Sequence, residues 1–258
     1  MQGWDIFNHS ARLVLRNWKQ ALQIGLLPIA IVIAAGVLVL GGDFVTTMSA
    51  GGPMMMEDDI ATMARFGVKF ALVWIFALFI MLTIVVNWHR FVLLEEYPTG
   101  WVPPFRLGLA LGYLGRIIML VLLSMVAMLP VGFVATLVDA ASGGTGLLAG
   151  LIFAIAIIFL GIAFYRVGAI LPAGAIGQGL TLQEAWEATR GANGTIVVLV
   201  LVLFLANLVL QLIVAVLSLV FAPLGLLAGL ATAVFMGLVS VSVLTTFYGH
   251  FIEGRPIG

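Results

Sequence analysis

Long apolar runs separated by short polar segments make up most of this chain. A membrane-spanning helix needs about 20 consecutive apolar residues, and six runs reach that length. The last two would merge without Pro223, which breaks a helix between them. The predicted spans lie at about 21–41, 66–87, 117–138, 147–168, 195–217 and 225–249.

The segment before the first span has an amphipathic helical pattern. Its apolar positions are Trp4, Phe7, Ala11, Val14, Leu15 and Trp18. Its polar positions are Asp5, Asn8, Arg12, Arg16 and Lys19. Such a pattern predicts a helix lying in the membrane plane, apolar face against acyl chains and basic face toward anionic headgroups. The alternative is a solvated helix packed on a neighbouring domain.

Similar segments precede the third and fifth spans. The one before span 5 starts with Thr181 and Glu184 at the spacing of a capping box, and it breaks at 191–194. Its membrane-facing positions are Leu182, Ala185 and Trp186. The one before span 3, residues 104–115, opens with prolines suited to a first helical turn and ends at Arg116.

These patterns predict an all-α polytopic membrane protein with a single membrane domain, 1–258. Its repeat-like units would be 1–94, 95–168 and 169–258, each an in-plane cytoplasmic helix followed by a hairpin of two spans. The first apolar run is long enough to span and stay in the membrane, so we expect no cleavable signal.

Composition supports a membrane protein and narrows the function. The chain is 63% hydrophobic and 9% charged, whereas soluble domains carry about 25% charged residues. Eleven basic and eleven acidic residues give zero net charge, which argues against a nucleic-acid footprint. The chain has no cysteine, so disulfides, thiolate catalysis and cysteine metal sites are excluded.

The basic residues near the span ends are distributed unequally. One side holds only Arg65 and Lys69. The other holds Arg12, Arg16, Lys19, Arg90, Arg106, Arg116, Arg166, Arg190 and Arg255. Because cytoplasmic loops carry the excess of Lys and Arg, this bias predicts that both termini are cytoplasmic.

Three stretches resemble a known family. They are the run from Trp88 to Glu95, Arg166 followed by residues 171–173, and residues 184–186 continuing into 189–191 and Asn193. They resemble a group of six-span proteobacterial inner-membrane proteins loosely akin to the YciC-like family. The resemblance implies the six-span architecture and a bacterial inner-membrane location, and it implies no activity.

Two interpretations fit the polar cluster at the end of span 2. In the first, Trp88 and Arg90 anchor the helix, the tryptophan at the interface and the arginine reaching toward phosphates. In the second, a cluster binds a headgroup or a partner, with Arg90 or Arg166 paired to Glu95. The cluster consists of Trp88, His89 and Arg90 with Glu95 and Glu96.

Few polar groups lie inside the predicted spans, and no charged residue lies near the centre of any of them. Asn207 and Gln211, one turn apart, predict interhelical hydrogen bonds, with a substrate site as the alternative. The sequence shows no HExxH motif and no paired intramembrane aspartates. We therefore expect no enzyme and no cofactor.

Two residue-type patterns remain. The first external loop and its edge hold Met48, Met54, Met55, Met56 and Met63. Thioethers suit Cu(I), but methionine is also a common apolar filler, and we expect no metal site. Small residues at every fourth position predict close helix packing along span 6. They are Gly225, Gly229, Ala233 and Gly237.

Together these features predict a non-enzymatic scaffold or accessory subunit that binds anionic lipid, another membrane protein or a second copy of the chain. The alternative is a permease or lipid-handling transporter of apolar cargo, which needs a membrane-depth chamber open to one side. The candidate lipid or partner contacts are Arg12, Arg16, Lys19, Trp88, His89, Arg90, Glu95, Arg166, Trp186 and Arg190.

Overall fold

Helices account for all the regular secondary structure that the computed structural model describes, which covers residues 2–41 and 60–257, with side chains from 64 onward in the second range. The helices are α1 Gln2–Arg16, α2 Trp18–Leu40, α3 Ile60–Leu94, α4 Leu107–Ala141, α5 Leu147–Gly168, α6 Ile170–Ala175, α7 Leu182–Ala188, α8 Asn193–Val220 and α9 Ala222–Phe251. The predicted methionine-rich loop lies outside the described residues and side chains.

Six helical segments in this part of the chain are long and apolar enough to cross a membrane. They are Trp18–Leu40, Ala64–Leu94, Leu107–Ala141, Leu147–Ala175, Asn193–Val220 and Ala222–Phe251. The prediction of six helices long and apolar enough to span a membrane is therefore confirmed, as expected of an integral membrane protein. The break between α8 and α9 falls at Phe221, with Pro223 in the first turn of α9, where a missing N–H costs nothing.

The predicted helix over 104–115 is wrong as a separate element. Leu107–Ala141 is one continuous helix with no break at Gly115. A glycine inside a helix costs only about 1 kcal/mol, which tertiary contacts can outweigh. Here Tyr113 is buried, and the Arg116 guanidinium lies against Gly174 of α6, where an added Cβ would lie 2.6 Å from Arg116 Cζ.

Consecutive long helices pack against each other: α2 with α3, α4 with α5, and α8 with α9. Helix α1 lies against α8 and α9, and the short α6 is buried among α3, α4 and α9. Two apolar clusters fill the end of the bundle where α1 and α6 lie, one around Trp88 and Phe247 and the other around Tyr113 and Ile170. We call it the basic end, because α1, the loop 95–106 and the C-terminal segment lie there with their cationic side chains.

Candidate functional site at the basic end

Helix α1 has three faces in the structure, where the sequence predicted two. The first face packs on α8 and α9 and holds the buried residues Gly3, Ile6, Ser10 and Val14. The second is apolar but exposed: Trp4 and Leu15 are each more than half exposed, as is Trp18 in the first turn of α2. The third is polar and exposed, with Asp5, Arg12 and Arg16, and Lys19 in the first turn of α2 extends it.

The protein-facing side of α1 is closely fitted. A Cβ added at Gly3 would lie 2.8 Å from the backbone nitrogen of Leu199 in α8, so only glycine permits this approach. Ser10 Oγ donates to Ile6 O at 2.7 Å and lies 3.0 Å from Thr246 Oγ1 of α9. Val14, predicted to face the membrane, is instead buried in this contact, because the bundle takes up part of the apolar surface of α1.

The basic side chains of α1, and that of Lys19 in the first turn of α2, are available to a ligand. Arg12, Arg16 and Lys19 are exposed, and no described carboxylate forms an ion pair with any of them. Lys19 Nζ lies 5.8 Å from the centroid of the Trp18 ring, where the exposed apolar face meets the polar one. This arrangement of tryptophans beside cations is typical of a helix at a membrane interface.

Trp88 and His89 occupy positions different from those expected of an interfacial anchor. Both have no exposed surface. Trp88 Nε1 donates to Ser242 Oγ at 2.8 Å, and His89 lies between Thr245 Oγ1 (2.8 Å) and Tyr113 OH (3.3 Å). The anchoring interpretation of Trp88 is therefore wrong, and neither side chain can contact lipid in this conformation.

Arg90 pairs with Glu96, whereas the sequence suggested Glu95. Its guanidinium makes two bonds to the Glu96 carboxylate, which also accepts from Arg106 at 2.8 Å. Glu95 is exposed, with a φ of 54°, and it turns the chain back so that Glu96 N bonds Arg90 O. The bond from Arg90, with the charge of Arg106, holds the pKa of Glu96 below its usual value.

Arg166 is held by α7. It is nearly buried, its Nη2 donates to Trp186 O at 2.6 Å, and its Nε donates to Thr189 Oγ1 at 3.3 Å. The guanidinium also stacks 3.5 Å over the Trp186 ring, a cation–π contact. The suggested pairing with Glu95 is wrong. Arg190 is exposed and close enough to Arg166 for the two charges to repel each other.

The predicted capping box of α7 is confirmed. Glu184 N donates to Thr181 Oγ1 at 3.2 Å, and Thr181 N donates to Glu184 Oε2 at 2.8 Å, a bond that lowers the pKa of Glu184. Ala185 differs from its prediction, because it is buried between α7 and α5 instead of facing the membrane. Trp186 is 44% exposed beside it.

The row of small residues on α9 has two different environments. Gly225 is buried against α8, where a Cβ would lie 2.5 Å from Ser218 Cα, and a Cβ at Gly229 would contact Val214 at 3.5 Å. Ala233 and Gly237 instead line an apolar groove between α5, α8 and α9 with a volume of about 860 Å³. The row is thus a packing surface in its first half and a groove wall in its second.

Asn207 also lines this groove. The interhelical hydrogen bond predicted for its side chain does not form among the described residues. Its side chain is exposed and has no hydrogen-bond partner among the described residues, and the same is true of Gln211.

Sequence reasoning missed several members of the polar network. Each missed residue has its hydrogen-bond partner on another segment of the chain, so only the folded structure shows the contact. These residues are Tyr113, Arg106 and the α9 residues Ser242 and Thr245. The one usable signal was the concentration of hydroxyls in the last turns of span 6, since polar groups within a span need partners.

Among the described residues, no group of three or more His, Asp or Glu side chains is placed to hold a metal ion. Comparison of the chain with protein-family models, with curated proteins and with solved structures finds no significant match.

Proposed function

We propose that this integral membrane protein is a non-enzymatic scaffold or accessory subunit of the bacterial inner membrane whose helix α1 binds anionic lipid. The observation that carries the proposal is the division of α1 into a protein-facing, an exposed aromatic and an exposed cationic side. A helix with this pattern lies along the membrane surface, and its docking on α8 and α9 fixes it there.

The charge on α1 is sufficient for lipid selection. Each basic residue near an anionic leaflet contributes about 1 kcal/mol, and the contribution decays within a Debye length. Arg12, Arg16 and Lys19 together would favour anionic lipid by roughly 3 kcal/mol at most before salt screening. The nine-to-two bias of basic residues supports placing this end, and both termini, in the cytoplasm.

We also propose that the bundle is built from related units, 1–94, 95–168 and 169–258. Helix α1 precedes the packed pair α2 and α3, and α7 precedes the packed pair α8 and α9. In the middle unit the corresponding segment has merged into α4.

Lipid selectivity of the full chain tests the proposal. The protein is reconstituted with spin-labelled phosphatidylglycerol or phosphatidylcholine, and the motionally restricted fraction of each lipid is measured. We expect wild type to enrich phosphatidylglycerol and the triple variant Arg12→Gln/Arg16→Gln/Lys19→Gln to lose most of that enrichment. The charge-preserving control Arg12→Lys/Arg16→Lys/Lys19→Arg should keep it. Full selectivity in the glutamine variant would rule out α1 as the lipid-binding element.

The groove between α5, α8 and α9 favours a second candidate, carriage of apolar cargo. That function needs the groove to be free. Gly237→Trp places a large side chain in the groove and should therefore abolish binding of a fluorescent long-chain lipid. Unchanged binding in this variant would remove the carrier candidate.

A further inference from the structure

The amide of Asn207 lies at the middle of a membrane span and has no hydrogen-bond partner among the residues that the structure describes. Helix α8 has 28 residues, and Asn207 is half-way along it, so the residue lies near the centre of the bilayer. Its side chain lines the groove, where the other α8 residues are apolar, among them Val200 and Phe204. Gln211 follows one turn later on the same helix face.

An amide facing hydrocarbon is costly unless it is hydrogen-bonded. In the described part of the chain neither Asn207 nor Gln211 has a hydrogen-bond partner. Acyl chains cannot supply one, because they have no polar atoms at this depth. The partner must therefore carry hydrogen-bonding groups at mid-membrane, which points to a protein helix.

A second copy of the chain meets this requirement, because its polar groups lie at the same depth in the membrane. Two copies inserted with the same topology present Asn207 and Gln211 at the same level of the bilayer. An amide side chain has both donors and an acceptor, so two identical amides can satisfy each other. A two-fold contact between identical surfaces is also the commonest form of homo-oligomer.

The shape of the groove agrees with a docked helix. An added Cβ at Gly161 of α5 or Gly237 of α9 would meet nothing within 4 Å, so both walls leave room for side chains from outside. Along α8 the groove runs from Val197 to Asn207, about 15 Å at 1.5 Å per residue, which is roughly three helical turns.

We propose that a second copy of this chain docks along α8, with its α8 side chains entering the groove and the Asn207 and Gln211 amides of the two copies hydrogen-bonded to each other. This assembly is independent of lipid binding by α1, because the contact lies in the spans and not at the basic end.

Because the chain has no cysteine, single-cysteine crosslinking in native membranes tests the proposal directly. Phe204→Cys places a thiol on the groove face of α8, and Val126→Cys places an exposed thiol on α4, outside the groove. With a short bismaleimide, Phe204→Cys should give a crosslinked dimer and Val126→Cys should not. Equal crosslinking at the two positions would overturn the proposal. The absence of a crosslinked dimer at Phe204→Cys would also overturn it, and this is the result expected if lipid or a different protein fills the groove.

A second arm tests the amides. In the Phe204→Cys background, Asn207→Leu/Gln211→Leu should lower the crosslinked fraction about fivefold, since interhelical amide bonds in membranes are of modest strength. These leucines suit a span, so the variant should fold, and its melting temperature in detergent checks this. An unchanged crosslinked fraction would contradict the proposal. The glutamine triple variant of α1, made in the Phe204→Cys background, should crosslink as well as Phe204→Cys alone, which separates failure of this proposal from failure of lipid binding.

Discussion

The two halves of the long helices differ sharply in packing. In α3 no residue of 64–81 is buried, whereas most of 82–93 is. In α9 only Gly225 is buried over 222–237, whereas most of 238–249 is. In lipid, apolar surface gains little by leaving one apolar environment for another, so close packing and hydrogen bonds determine where helices are held together. These contacts are concentrated at the basic end.

The comparison shows which residues hold the fold and which remain for binding. The buried half contains Trp88, His89 and Arg166, all satisfied by partners within the chain. The cations of α1 lie outside that network, at its surface. Trp88, His89 and Arg166, which the sequence suggested as lipid or partner contacts, are therefore structural, whereas the exposed side of α1 remains available for the proposed lipid binding.

The largest effect is expected from removing the central aromatic residue of the packed half. Trp88→Ala leaves a cavity and an unpaired Ser242 hydroxyl, which should cost about 3–5 kcal/mol. Trp74→Ala on the same helix is the matched control, because Trp74 is 61% exposed in the other half. Unfolding in mixed detergent measures both. Similar destabilisation by the two variants would mean that the halves do not differ as described.

A smaller effect should follow from undocking α1. Gly3→Leu forces a side chain into the backbone of α8 and should cost roughly 1–3 kcal/mol, as overpacking does. Gly67→Leu, where a Cβ meets nothing within 4 Å, is the control and should be neutral. Protease sensitivity of the first twenty residues, followed by thermal melting, reports the release of α1. A resistant N-terminus in Gly3→Leu would show that α1 is not held by this contact.

The smallest effect concerns pH. The pKa of Glu96 is lowered in the folded state, so its stabilising contribution is complete above the ordinary glutamate pKa of 4.5 and is lost as pH falls through the lower folded value. Glu96→Gln should therefore melt below wild type at pH 7, and the two should converge in acid. Glu95→Gln, at an exposed neighbouring carboxylate, should follow wild type throughout. A gap between Glu96→Gln and wild type that does not narrow as the pH is lowered from 7 into acid would exclude the Arg90–Glu96–Arg106 cluster as its cause.

How much the sequence could predict depended on distance along the chain. The spans, the Pro223 break and the Thr181–Glu184 capping box follow from local patterns, and the structure has them. Trp88 and Ser242 are 154 residues apart, and a contact at that separation leaves no local sequence pattern. The buried Trp88 was therefore predicted to be an interfacial anchor. The separate helix predicted over 104–115 is instead part of α4, where Arg116 contacts Gly174 of α6, a contact between distant segments that the local pattern does not show.

The placement of α1 at the membrane surface is the central claim, and spin labels on its different faces test it most directly. Labels at Arg12→Cys and Leu15→Cys in reconstituted protein are compared for relaxation by oxygen, which concentrates in lipid, and by a nickel chelate, which stays in water. We predict that the Leu15 label responds mainly to oxygen and the Arg12 label mainly to nickel. Equal, strong nickel accessibility at both positions would place α1 in water and contradict the account.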